Sequence, residues 1–304
     1  MNTFNQKLTW LMKREMWEHK GGFVWAPAAI GMLMIGMMLI AALFAQGQPE
    51  GFAHLAKADP SQMDQGLAVL SQVYPIMGAP ILIVLAFTVF FYSLGALFDE
   101  RKDRSIMFWK SLPMSDGATV ASKALIALIV APLIAVVATL ATSLICLLLI
   151  CLASLIQGVN MFGVFIQADT YLTIGRLLAL VPFFALSALP TVGWLMLVSA
   201  GARGKPFLWA ILIPIGIALG GFIMGTASRI DMGWTADVAG SLLFGTVPGS
   251  WLVNGISEDS TMPMSSLFEG SMASLSQPGL WIGAAAGVAM LALAAILRRR
   301  GEEI

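Results

Sequence analysis

The chain has 304 residues, of which 58% are hydrophobic and 11% charged, with 17 Lys plus Arg against 17 Asp plus Glu. A soluble domain carries about a quarter of its residues as charges, so this chain cannot cover a water-facing surface, and its zero formal net charge gives no reason to expect nucleic acid. Cys146 and Cys151 share one apolar run on different helix faces with no His, Asp or Glu beside them, which excludes a disulfide framework and a zinc site and leaves apolar filling.

Residues 1–22 come first. Phe4, Leu8, Leu11 and Met12 fall on one helical face, interrupted by Glu15, with Trp10 and Trp17 suited to an interface. This predicts an amphipathic helix on the inner leaflet; a solvated charged tail is the alternative. Glu15 and Glu18, and the length of the apolar run that follows, argue against a secretory leader. A bilayer core of roughly 30 Å needs about 20 helical residues. Six charge-free stretches are long enough: Gly21–Pro49, Gln65–Phe98, Ala124–Ala168, Leu177–Ala202, Pro206–Ser228 and Gly270–Leu297. Within them the predicted spans are 23–45, 74–97, 124–150, 174–200, 207–225 and 279–297. The third stretch exceeds one ordinary span, so its second half is expected to fold back or lie at the outer face.

Orientation follows from the basic residues. With six spans and an inside start, fourteen Lys and Arg fall in the inner set of loops, and only Lys57, Arg176 and Arg229 in the outer set. Both termini are therefore expected in the cytoplasm. A seventh uncharged stretch, Val238–Ser257, is rich in Gly and Ser and contains Pro248; a crossing there would put Arg298, Arg299 and Arg300 outside. It is predicted to be a re-entrant or interfacial piece of an outer segment, 226–278.

Little in the chain carries chemistry. The string from Gly201 to Pro206 lacks the spacing of a phosphate loop and the Ser or Thr after its Lys205, and no other ATP site is visible. His19 and His54 lie outside the spans, no carboxylate falls inside one, and Ser93, Ser143 and Ser187 have no intramembrane base. No catalytic residue, cofactor or metal site is expected, and an ion-coupled carrier loses weight, since intramembrane charges usually mark one. Pro80, Pro132, Pro182, Pro190 and Pro214 predict kinks. Gly216–Gly220, Gly221–Gly225 and Gly283–Gly287 permit close helix approach, either within the chain or between copies.

The inner segment 99–123 is the informative one. Its charges alternate in sign, Glu100 and Arg104 stand at the favourable i, i+4 spacing, and Ser115 with Asp116 can open the next helix. Ile106, Phe108, Trp109 and Leu112 present bulky apolar groups before Pro113 stops the helix. Such a helix suits a docking knob; an anchor in the headgroups is the alternative.

The run from Phe98 to Asp116 resembles the first inner loop of bacterial ABC-2-type transporter permeases. Lys13–Gly21 resembles their N-terminal interfacial helix, and Val192–Ala200 with Pro206–Trp209 resembles their fourth and fifth spans; the last helix ending in Arg298–Arg300 also fits. The resemblance implies a single all-α permease domain over 1–304 in the bacterial inner membrane, paired with a second permease and with separate ATP-binding subunits. It assigns docking on the ATPase to Arg101, Lys102, Arg104, Phe108, Trp109, Lys110, Leu112 and Pro113. The expectation is an exporter subunit that hydrolyses nothing itself; a membrane scaffold or mechanical transmitter driven by such an ATPase is the alternative.

Overall fold

Apolar runs of this length satisfy their backbone away from water by hydrogen bonding within a helix. The computed structural model describes residues 2–45, 59–103, 115–250 and 264–300, and every element among them is helical. Among the described residues, six helices are long and apolar enough to cross a membrane: Gly21–Phe44, Pro60–Lys102, Asp116–Ile156, Ala168–Gly201, Pro206–Ser228 and Pro278–Arg299. The chain is accordingly a multi-pass, all-α membrane protein.

The N-terminal helix α1 (Asn2–Glu18) leads through a π turn, Gly21–Trp25, into α2 (Ala26–Ala45). The second span is built from α3 (Pro60–Val73), a 3-10 turn at Tyr74–Gly78 and α4 (Ala79–Gly95), with a short α5 (Phe98–Lys102) beyond it. The third begins at α6 (Asp116–Leu125), passes a second π turn at Ile126–Val130 and continues as α7 (Ala131–Ile156). It starts eight residues before and ends six after the predicted 124–150, so most of the long uncharged stretch is one helix. Only residues 157–167 turn back, tied by Thr170 Oγ1 donating to the Val164 carbonyl at 2.6 Å.

The fourth span is α8 (Ala168–Ala179) and α9 (Val181–Gly201), broken at Leu180, where Pro182 enters the first turn of α9. The fifth is α10 (Pro206–Ser228), bounded at both ends by residues in the left-handed conformation, Lys205 at φ 49° and Arg229 at φ 58°. Two short helices follow, α11 (Trp234–Phe244) and α12 (Met264–Ser274), before α13 (Pro278–Arg300) closes the chain.

The core lies where α4, α6, α7 and α9 meet, around Ile81, Val89, Ile126, Ala127, Val192 and Met196, with Ala294 of α13 against them. The tightest approach is α9 on α13. A Cβ at Gly193 would lie 2.5 Å from the Gly287 carbonyl oxygen, and one at Gly287 2.5 Å from that of Leu189. The Gly283–Gly287 pair is thus used within the chain, as is Gly221, which faces Thr235 of α11; at Gly216 and Gly220 a Cβ would meet nothing within 4 Å. At 11 residues, α11 is only about 16 Å long. Its C-terminal end rests on the middle of α9, where Thr191 Oγ1 donates to the Ser241 carbonyl at 2.6 Å and accepts from Gly245 N at 3.0 Å.

Candidate functional site

Helix α1 sets the site. Leu11 is buried and Met12 and Met16 pack on the core. Glu15, four residues after Leu11 and three after Met12, is carried to the same face, where it is 1% exposed. The residue that interrupts the apolar stripe in sequence is therefore the most deeply buried carboxylate among the described residues. Trp10 and Trp17 point away, each with a lysine over its ring, Lys13 at 5.4 Å and Lys20 at 5.6 Å.

Glu15 opens a chain of buried charges. Its Oε1 is 2.8 Å from Lys123 Nζ at the end of α6, and its Oε2 accepts from Tyr92 Oη of α4 at 3.2 Å. Lys123, 3% exposed, also reaches Glu100 Oε1 at 3.1 Å. The other Glu100 oxygen is 3.0 Å from Arg298 Nη2, and Arg298 Nε is 3.1 Å from Asp116 Oδ1. His19 Nδ1 stands at the margin, 3.9 Å from Glu15 Oε2. Three carboxylates and two basic side chains are thus gathered from α1, α5, α6 and α13. Ser115 N-caps α6 by accepting from Ala118 N at 3.2 Å, as its position before Asp116 predicts.

A second set of contacts fixes the root of the inner segment. Ser199 Oγ, buried in α9, accepts from Leu97 N at 3.0 Å and Phe98 N at 2.9 Å. Arg101 donates to the carbonyls of Ser199 and Ala202, the latter at 2.9 Å, and so occupies acceptors at the C-terminal end of α9, where a cation is favoured. The ends of spans two, four and six and the starts of spans one and three therefore meet at one end of the bundle, with both terminal helices.

Of the sequence-assigned docking residues, Arg101 is turned inward onto α9 and Lys102 is exposed. Arg104, Phe108, Trp109, Lys110, Leu112 and Pro113 lie outside the described residues. Sequence reasoning missed Glu15, Lys123, Arg298 and Ser199 as a set. The signal within reach was the position of Glu15 on the apolar face of its own helix. Glu15, Glu18 and His19 also bring three donor atoms within 4.8 Å of one another. Lys123 and Tyr92 already hold the Glu15 oxygens and Arg14 holds Glu18 at 2.8 Å, so this group has little to offer a metal ion.

On the far side of Tyr92 lies a cavity of about 510 Å³ between α1, the first π turn and α4, bordered by Glu18, His19, Phe23, Phe91, Tyr92 and Asp99. No family profile matches the chain, and neither a curated protein nor a solved structure matches it significantly.

Proposed function

We propose that this chain is the membrane permease subunit of an ATP-driven exporter of the ABC-2 type. In this reading it forms the translocation pathway, pairs with a second permease, and takes its energy from separate ATP-binding chains. The observation that carries the proposal is the seating of the segment after the second span. Its first residues are tied by Ser199 and Arg101 to the end of α9, and through Glu100 to Lys123 and Arg298. Buried charged contacts resist separation, because parting them leaves uncompensated charge. A push delivered to residues 104–114 by a docked ATPase would therefore reach α1, α6, α9 and α13 together.

The placement of basic residues supports the same orientation, with this end of the bundle in the cytoplasm of a bacterial cell and the N-terminal helix along the inner leaflet. The short α11, with its end against the middle of α9, supports the re-entrant reading of the segment before the last span. Lys102 remains available to an acidic rim on the partner, while Arg101 holds the root of the docking segment.

The test is purification from native membranes in mild detergent, with identification of the chains that co-purify, followed by ATP-driven uptake in inverted vesicles. An ATP-binding chain in stoichiometric amount is expected. Recovery of this chain alone, or tight nucleotide binding by the isolated chain, would overturn the proposal.

A further inference from the structure

We propose that the cavity beside Tyr92 is a binding site for an organic cation with an apolar body, an ammonium group joined to hydrocarbon. The site is independent of the transport reading, and its chemistry comes from three features. The first is an aromatic floor: Phe23 and Tyr92 are 2% and 6% exposed, with ring centroids 5.0 Å apart and planes at 69°, and His19 meets the Tyr92 ring edge-on at 4.9 Å. Over these buried rings, Phe87 and Phe91 border the same cavity with exposed ring surface, and ring faces attract weakly hydrated cations.

The second feature is the sign of the charge. Among the described residues no Lys or Arg borders the cavity, whereas Glu18 and Asp99 do. Of the neighbouring described cations, Arg14 is on Glu18, Lys20 over Trp17, Arg101 on the α9 carbonyls and Lys123 between Glu15 and Glu100, while Lys102, three residues from Asp99, is exposed and makes no ion pair with it. Glu18 is thus partly neutralised, but Asp99 has no cationic partner among the described residues. Behind Tyr92, the buried cluster holds, among the described residues, three carboxylates and two basic side chains. An anion is disfavoured from both directions, and a compact metal ion would find rings where it needs oxygens.

The third feature is access. Phe87 and Phe91 border the cavity while remaining 61% and 55% exposed on the outside of α4, so an apolar tail would continue onto the hydrocarbon-facing surface. Room is provided by the π turn, where a Cβ at Gly21 would meet nothing within 4 Å. The volume lies within the range of small-molecule sites, about 300–1,000 Å³. The ammonium could belong to a soluble organic cation or to an amine-headed lipid.

The experiment uses the full chain in nanodiscs of phosphatidylglycerol and diglucosyldiacylglycerol, lipids without an amine, with tetraphenylphosphonium as probe and tetraphenylborate as its oppositely charged isostere. Saturable binding of one equivalent of the cation above empty discs is expected, with none of the anion. Asp99→Asn should weaken it about tenfold, from the lost charge, and Gly21→Leu should abolish it by filling the cavity. Adding phosphatidylethanolamine separates the sources: competition identifies a lipid amine as the natural occupant, and no competition identifies a soluble cation. Equal binding of both isosteres, or cation binding indifferent to both substitutions in variants whose thermal unfolding matches the wild type, would overturn the proposal.

Discussion

Replacing Lys123 by Met tests whether the buried charges hold the charged end of the bundle together. Among the described residues, Lys123 is the only basic side chain within 4 Å of Glu15 apart from His19, and it is shared with Glu100. At 2.8 Å and an effective dielectric of about 20, the Lys123–Glu15 attraction alone is on the order of 6 kcal/mol. Desolvation of two ions that are 3% and 1% exposed offsets most of that gain. Removing the cation keeps the desolvation cost and loses the attraction, so Lys123→Met should cost ~3–5 kcal/mol. The double variant Glu15→Leu with Lys123→Met removes both ions and should recover most of the loss, leaving Glu100 with Arg298. Cys146 and Cys151, both buried, make a convenient reporter: a fluorogenic maleimide reacts with them as the bundle unfolds. The single variant should unfold at markedly lower temperature and the double near wild type. A single variant costing under ~1 kcal/mol, or a double whose loss is the sum of its parts, would refute the reasoning.

Three further outcomes are expected. Reporter fusions at Lys57, Arg229 and Glu258 should read outside and those at Lys110, Lys205 and Arg300 inside; an outside reading at Arg300 would mean that the segment after α10 crosses. Gly287→Leu should drive a side chain into the α9 backbone at Leu189 and Pro190 and cost at least ~1–3 kcal/mol as overpacking, whereas Gly216→Leu should be tolerated, which the same thiol assay reads directly. Trp109→Ala should weaken capture of the ATP-binding chain by roughly thirtyfold, as an aromatic anchor worth ~2 kcal/mol, at unchanged membrane expression; equal recovery would remove Trp109 from the docking surface.

The six long helices were legible in sequence because a charge-free stretch of twenty or more residues has few other stable forms. Their ends were not. Asp116–Lys123 contains charge, so hydropathy stops at Ala124, yet a cap at Ser115 and the burial of Val120, Ser122 and Lys123 carry the third span back to Asp116. Likewise Pro60–Val73 is polar along one side, but Ser71 and Gln72 find partners in α8 and the helix extends past the expected start at Tyr74. The buried cluster was legible only in part. The count of basic residues placed Lys123 and Arg298 on one side, but it treats each as a solvated charge. Which carboxylate each one meets depends on α1 folding over α6, a contact between residues more than a hundred positions apart.

The second π turn has a consequence for how this chain tolerates length changes. A π turn is equivalent to an α-helix with one residue inserted, and one residue corresponds to about 100° of rotation. Ile126–Val130 follows Lys123 by three residues. The second turn therefore acts as a phase shifter, setting the angular bearing of Lys123 against the membrane helix α7 that follows it without a break. Deleting a single residue from that turn would leave hydropathy, helix content and span count nearly untouched while swinging Lys123 a quarter-turn or more out of alignment with Glu15.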